Sequence, residues 1–104
     1  MAGTIFLETE KRWSAAGWLF DWVLSKIEAE APDADVQRSI HTIVLENLGA
    51  LKLADYEPGQ QDAIRSVICG RLLATAEADL PPDLPSRAEA IEHVRQLVAL
   101  TCSG

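Results

Sequence analysis

The chain is short of cysteine, short of cations and without a long apolar run. Its two cysteines in 104 residues do not form the dense framework of a disulfide-stabilised secreted domain. No apolar stretch approaches the roughly 20 residues that cross a bilayer as a helix. Because the N-terminal charges follow a short apolar stretch instead of preceding it, we expect no secretory leader and a cytoplasmic protein. Cys69 and Cys102 are then expected as free thiols, with a disulfide between them as the alternative.

The deficit of cations excludes some classes of partner. Nine lysines and arginines stand against sixteen acidic residues, and the formal net charge is -7. A chain of this charge is not expected to bind nucleic acid or an anionic membrane through a basic face. It is suited to a basic protein partner.

Motifs for catalysis, metals and cofactors are also missing. The only two histidines, His41 and His93, belong to no HExxH or ExxH pattern, so no metal and no cofactor are expected. Cys69 has no base beside it in the sequence, and a nucleophilic thiol needs one. We therefore expect no enzyme. A small Cys/His site, assembled by folding from these three residues, remains a second alternative.

The richest apolar segment is 13–30, which holds all three tryptophans. Helical spacing places Trp13, Leu19, Phe20 and the following aliphatics on one broad face. Trp18 and Trp22 lie four residues apart, beside the polar strip. Two interpretations stay open for them, packing under another part of the same chain or anchoring a partner.

Capping signals and apolar spacing predict four helices. They span about 14–30, 33–48, 58–78 and 86–101, with Ser14 and Asp33 as N-caps and Gly49 as a C-terminal stop. Pro58 suits a first helical position, and Ser86 with Glu89 matches a capping box. The inward residues expected beyond the first helix are Val36, Ile40, Ile43, Val44, Leu48, Ile64, Val67, Ile68, Leu72, Ala74, Ala90, Ile91, Val94, Leu97 and Val98. Arg71 is expected to project into the third apolar face, and Arg38, His41 and Leu45 to form an outer stripe on the second helix.

These elements predict an all-α fold, an antiparallel bundle of four main helices with an N-terminal arm. The bundle domain is placed at 13–104 and the arm at 1–12. Thr4 to Thr9 is rich in β-branched and aromatic residues, so the arm is a strand laid on the bundle, a strand that pairs with another chain, or an extra helical turn.

The surface features favour protein binding. Glu28, Glu30, Asp33 and Asp35 crowd the first inter-helix turn, which is either a solvated turn or a patch for a basic partner. Together with Asp21, Trp18 and Trp22 they form the predicted partner-binding set. The expected function is a small acidic inhibitor of the immunity-protein or antitoxin class. The first alternative is a homodimeric structural or regulatory protein.

Overall fold

The computed structural model contains a three-stranded mixed sheet in addition to helices, and the predicted all-α bundle with a separate arm is wrong. The structure describes residues 2–7, 11–31 and 33–102. Strand β1 (Ala2–Phe6) lies in the middle, antiparallel to β2 (Arg12–Ala16) and parallel to β3 (Ala50–Lys52). The strand alternative for the arm is thus realised within one chain. Residues 1 and 8–10 of the arm lie outside the described residues.

Helices account for most of the remaining chain. They are α1 (Gly17–Glu30), α2 (Ala34–Leu45), a 3-10 turn (Leu53–Asp55), α3 (Pro58–Val67), a π-helical segment (Ile68–Leu72), α4 (Leu73–Asp79) and α5 (Arg87–Cys102). The α3, π-helical and α4 segments follow one another without a break and together match the third predicted helix. The helical elements were therefore predicted in number and order, and the error concerns the strands.

The first strand pair explains why α1 begins later than predicted. Burial alternates along β2, with Trp13 and Ala15 buried and Arg12 and Ser14 exposed, as expected for a strand with one covered face. Ser14 is therefore a strand residue and not an N-cap. The helix begins at Gly17, and its N-cap Ala16 has no side chain that could accept a hydrogen bond.

The core lies between the covered face of the sheet and the helices. Phe20 of α1 packs directly under β1, so closely that a Cβ atom on Gly3 would overlap its ring. Trp13 is also buried, and its Nε1 donates to the carbonyl of His93 on α5 at 2.7 Å. The fully buried large side chains are Phe20, Ile5, Leu24, Ile27, Ile40, Leu51, Leu53, Ile64, Ile68, Leu72, Leu97 and Val23.

Most of the inward positions predicted for the later helices are buried, three are half-buried and two are exposed. Leu48 is 59% exposed and Ala74 is exposed, whereas Val44, Val67 and Val98 are half-buried. Leu48 follows the end of α2 and does not belong to its periodicity, which is why its predicted position was wrong.

The two ends of α2 show one correct and one incorrect capping prediction. Asp33 is the N-cap, as predicted, and its Oδ1 accepts from the backbone N–H groups of Asp35 and Val36. The C-terminal stop is Asn47 and not Gly49. Asn47 has a φ of 55°, and Leu48 N–H donates to the Ile43 carbonyl, which is the Schellman arrangement. Asparagine adopts this left-handed conformation more readily than most residues, so the helix ends two residues early.

A disulfide joins Cys69 of the π-helical segment to Cys102 at the end of α5, with a Cα–Cα distance of 5.9 Å. The expectation of free thiols is therefore wrong for this structure. Spacing in the sequence gave no sign of the pairing, because it arises when α5 packs beside the π-helical segment. Among the described residues, no helix has the length and apolar character to cross a membrane.

Gly3→Ala is expected to destabilise the protein by about 1–3 kcal/mol, because the added methyl group overpacks the contact with Phe20. Gly59→Ala is the matched control, since nothing lies within 4 Å of its Cβ position and the residue is helical. That variant is expected to be neutral or more stable by up to about 1 kcal/mol. Urea unfolding of both variants measures the difference. Equal stability of Gly3→Ala and wild type would contradict the packing of α1 on β1.

Reduction of the disulfide is expected to lower the free energy of unfolding. The closed loop spans a separation of 33 residues. Loss of a cross-link of this size costs about 3–4 kcal/mol in the chain-entropy account. Urea unfolding with and without a reductant measures it. The Cys69→Ser/Cys102→Ser variant should have the stability of the reduced protein, and reductant should not change it. Identical unfolding midpoints for oxidised and reduced wild type would contradict the pairing.

Candidate protein-binding surface

The two tryptophans of α1, Trp18 and Trp22, differ in their surroundings. Trp18 is 46% exposed and stands in the first turn of the helix. Trp22, one turn further, is half-buried against the core. Lys26 places its Nζ 5.6 Å from the centre of the Trp22 ring and 2.7 Å from Asp79 Oδ2. Trp22 is therefore held between the core and a tethered cation, and Trp18 presents free apolar surface.

Leu45 adds a second exposed apolar side chain that was not among the predicted site residues. It is 73% exposed and follows His41 by one turn of α2. The His41 Nδ1 lies 3.1 Å from Glu28 Oε1, so this side of α2 runs next to α1. The predicted outer stripe of Arg38, His41 and Leu45 is confirmed, since all three residues are exposed. The position of Leu45 on that stripe was the sequence signal for its exposure.

Leu48 is exposed for a structural reason. It lines a groove beside α2 together with Ile43 and Tyr56. Helices with a Schellman end commonly have an apolar contact between the residue after the left-handed position, here Leu48, and the last turn of the helix. Leu48 is thus part of a helix end and a weaker candidate for a partner contact than Trp18.

Tyr56 lines the same groove. Burial of its ring raises the pKa of its hydroxyl, although a hydrogen bond with Ser39 opposes this.

The predicted acidic turn is a surface of mixed charge. Glu30 Oε2 lies 3.8 Å from Arg71 and Asp35 Oδ1 lies 3.7 Å from Arg38, while Glu28 Oε1 is hydrogen-bonded to the imidazole of His41. Arg71, predicted within the third apolar face and either extended to the bundle edge or paired with a carboxylate, lies in the π-helical segment with a side chain that is 76% exposed. Exposed pairs of this kind contribute little to stability, and their carboxylates stay accessible to a partner.

Asp33 differs from its neighbours because it is engaged by neutral donors. Gln60 Nε2 donates to Asp33 Oδ2 from α3, and two backbone N–H groups of α2 donate to Oδ1. These hydrogen bonds lower the pKa of the Asp33 carboxyl below its ordinary value of 3.8, and the bond from Gln60 has the largest effect. The carboxylate therefore joins the turn to α3.

The predicted residues extend along the whole of α1. Trp18, Asp21 and Trp22 lie in its first half, and Glu28 and Glu30 in its last turn. A helical rise of about 1.5 Å per residue separates Trp18 from Glu30 by about 18 Å. A standard interface buries about 800 Å² on each partner, which is wide enough to include both ends. Glu28 and Glu30 are directed toward different neighbours, His41 of α2 and Arg71 of the π-helical segment, so the predicted residues do not all share one face of α1.

The structure does not assemble the Cys/His site of the second alternative. Cys69 is bonded to Cys102, and a disulfide sulfur is not the thiolate that nucleophilic catalysis needs. His41 contacts Glu28 on the surface of α1, and His93 lies on α5 with a buried Nδ1 that has no hydrogen-bond partner among the described residues. Within the same residues, no group of three or more potential ligands is placed to hold a metal ion.

Comparison of the chain with models of protein families, with curated proteins and with solved structures finds no match in any of the three.

Stability at low pH should depend on Asp33. Because the folded-state pKa is lowered, the ionised carboxylate stabilises the fold above pH 3.8, and this contribution is lost as pH falls through the folded-state pKa. In Asp33→Ser the hydroxyl keeps a capping oxygen and does not titrate. We expect the stability difference between wild type and Asp33→Ser to shrink in acid. Urea unfolding over a pH series measures it, and parallel pH profiles would contradict the assignment.

Proposed function

We propose that the protein is a non-catalytic protein-binding module, a small acidic inhibitor of the immunity-protein or antitoxin class that blocks a basic partner. The exposed indole of Trp18 carries this proposal. A tryptophan that is 46% exposed keeps a large rigid apolar surface in water. Such side chains are enriched among the residues that dominate binding energy.

The proposed mechanism is steric occlusion. Trp18 inserts into an apolar depression of the partner and Trp22 supports its ring. Leu45 of α2 adds a second apolar contact. Asp21 flanks the indoles, and Glu28, Glu30, Asp33 and Asp35 offer carboxylates to basic groups of the partner. Arginine side chains of the partner can replace the weak exposed pairs made by His41, Arg38 and Arg71, since bidentate arginine–carboxylate contacts are stronger. Carboxylates would then occupy positions that phosphate groups otherwise take on such a partner.

The charge of the chain supports a basic partner through association kinetics. A net charge of -7 attracts a positively charged protein over several ångströms and raises the rate of encounter.

The cellular compartment of the protein is a separate prediction. The sequence predicts a cytoplasmic protein, and the Cys69–Cys102 disulfide counts against this prediction because disulfides persist mainly in oxidising compartments.

Trp18→Ala is expected to weaken binding of the partner by about 30-fold, the cost of about 2 kcal/mol that truncation of an anchor residue incurs. The partner is captured from the native host with the wild-type protein, purified, and titrated with each variant by calorimetry. Leu48→Ala is the matched control, since it also removes an exposed apolar side chain but lines a different groove. Unchanged affinity for Trp18→Ala would contradict the proposal.

Glu30→Lys tests the electrostatic part. This variant is expected to slow association with the partner, with a larger effect at low salt, because exposed charges act mainly on the rate of encounter. Stopped-flow measurements at two salt concentrations show it. Glu89→Lys on α5 makes the same change in net charge at an exposed position away from α1 and is the control. If both variants slow association equally, the effect depends on net charge alone and Glu30 has no specific role in binding.

The homodimer alternative uses the same exposed indole. Sedimentation equilibrium of the wild type and of Trp18→Ala separates the two readings. A wild-type dimer that the variant converts to monomers would assign Trp18 to self-association and overturn the inhibitor proposal.

A further inference from the structure

The sheet has one face that no described element covers. Side chains on the other face, among them Ile5, Trp13 and Leu51, are buried against the helices. Because successive strand residues alternate between faces, the residues between them point away from the core. The uncovered face carries Thr4, Phe6, Arg12, Ser14 and Lys52, which are half-buried or exposed. We refer to these five residues as the open face.

Strand register places one basic residue on each neighbouring strand opposite an aromatic residue of the central strand. Phe6 of the central strand is opposite Arg12 of β2 and also opposite Lys52 of β3. Lys52 Nζ lies 5.9 Å from the centre of the Phe6 ring. Beside them, the hydroxyl oxygens of Thr4 and Ser14 are 3.0 Å apart and hydrogen-bonded to each other. The open face therefore joins an aromatic surface, two positive charges and two hydroxyl groups.

The two cations of the open face lack the partners that the other described cations have. Lys26, Arg38, Arg71 and Arg95 contact carboxylates. Arg65 and Arg87 donate to backbone carbonyl groups, and Lys11 has an interaction of its own. In a chain with sixteen acidic residues and nine basic ones, unpaired cations are not expected to be neighbours. Among the described residues, Arg12 and Lys52 have no carboxylate partner, and both flank Phe6.

We propose that the open face binds an acidic segment of a partner protein. Arg12 and Lys52 each receive a carboxylate of that segment, and an apolar side chain between the two carboxylates packs on Phe6. The chemistry favours a protein over a nucleic acid. Two cations neutralise about two phosphates, and the net charge of -7 repels a longer polyanion.

This site is independent of the proposed function. Phe20 of α1 packs against the covered face of β1 at Gly3, so the helix that carries Trp18 and the open face lie on opposite sides of the sheet. The two surfaces also differ in the sign of the charge they attract. A chain that binds a basic protein through α1 can therefore hold an acidic segment at the same time.

Amide chemical shifts of the ¹⁵N-labelled full chain test the proposal. The probe is a synthetic peptide of alternating glutamate and phenylalanine, with a lysine–phenylalanine peptide and a single-stranded oligothymidylate as comparisons. The glutamate peptide is expected to shift the amide signals of all three strands at millimolar concentration. The shifts should vanish at about 1 M salt, where charges separated by more than about 3 Å are screened. The lysine peptide should leave the amide signals of the three strands unshifted.

Two variants make the assignment specific. Arg12→Gln and Lys52→Gln should each weaken binding of the glutamate peptide by about threefold, as expected for an exposed charge pair. Arg95→Gln is the control, because it removes an exposed cation from α5. The proposal is overturned if the glutamate peptide does not change the amide chemical shifts of the three strands. It is also overturned if Arg95→Gln weakens binding as much as the two variants do, or if oligothymidylate binds the open face more tightly than the peptide.

Discussion

The close approach of Phe20 to Gly3 is the contact on which the rest of the structure depends. Only a residue without a Cβ atom allows the ring to lie directly against the central strand. This contact places α1 under β1 and directs Leu24 and Ile27 into the core. One side of α1 then faces the sheet, and the tether between Lys26 and Asp79 links another side to the end of α4. The side that carries Trp18 is what remains in contact with water.

The helices were readable from sequence because their signals are local. Asp33 begins α2 and Pro58 begins α3 as their side-chain chemistry predicts, and both depend on atoms a few residues away. The strands gave weaker signals. Strand β3 contains three residues, which is too short to show alternation, and it pairs in parallel with β1 across more than forty positions of sequence. The segment Arg12–Ala16 alternates correctly, but its apolar residues also fit the helical spacing of the segment that follows.

The candidate surface was predictable to the extent that it depends on one helix. Helical spacing placed Trp18 beside the polar strip, and that residue is exposed. The contacts that Glu28 and Glu30 make depend on tertiary packing and left no trace in the sequence. Glu30 of α1 meets Arg71 of the π-helical segment, and Glu28 meets His41 because α2 folds back along α1. The same limitation applies to Arg12 and Lys52, which become neighbours of one ring only when three strands align.

The hydrogen bond from Trp13 to the carbonyl of His93 joins positions that are 80 residues apart. Its donor belongs to the first strand pair and its acceptor to the last helix. During synthesis, which proceeds from the N-terminus, the buried indole therefore has no acceptor until the chain has been made as far as α5. A two-stranded hairpin alone is marginal in water. The fold is thus expected to close only after translation of α5, and any ribosome-bound chain that stops before it would expose the apolar face of β2.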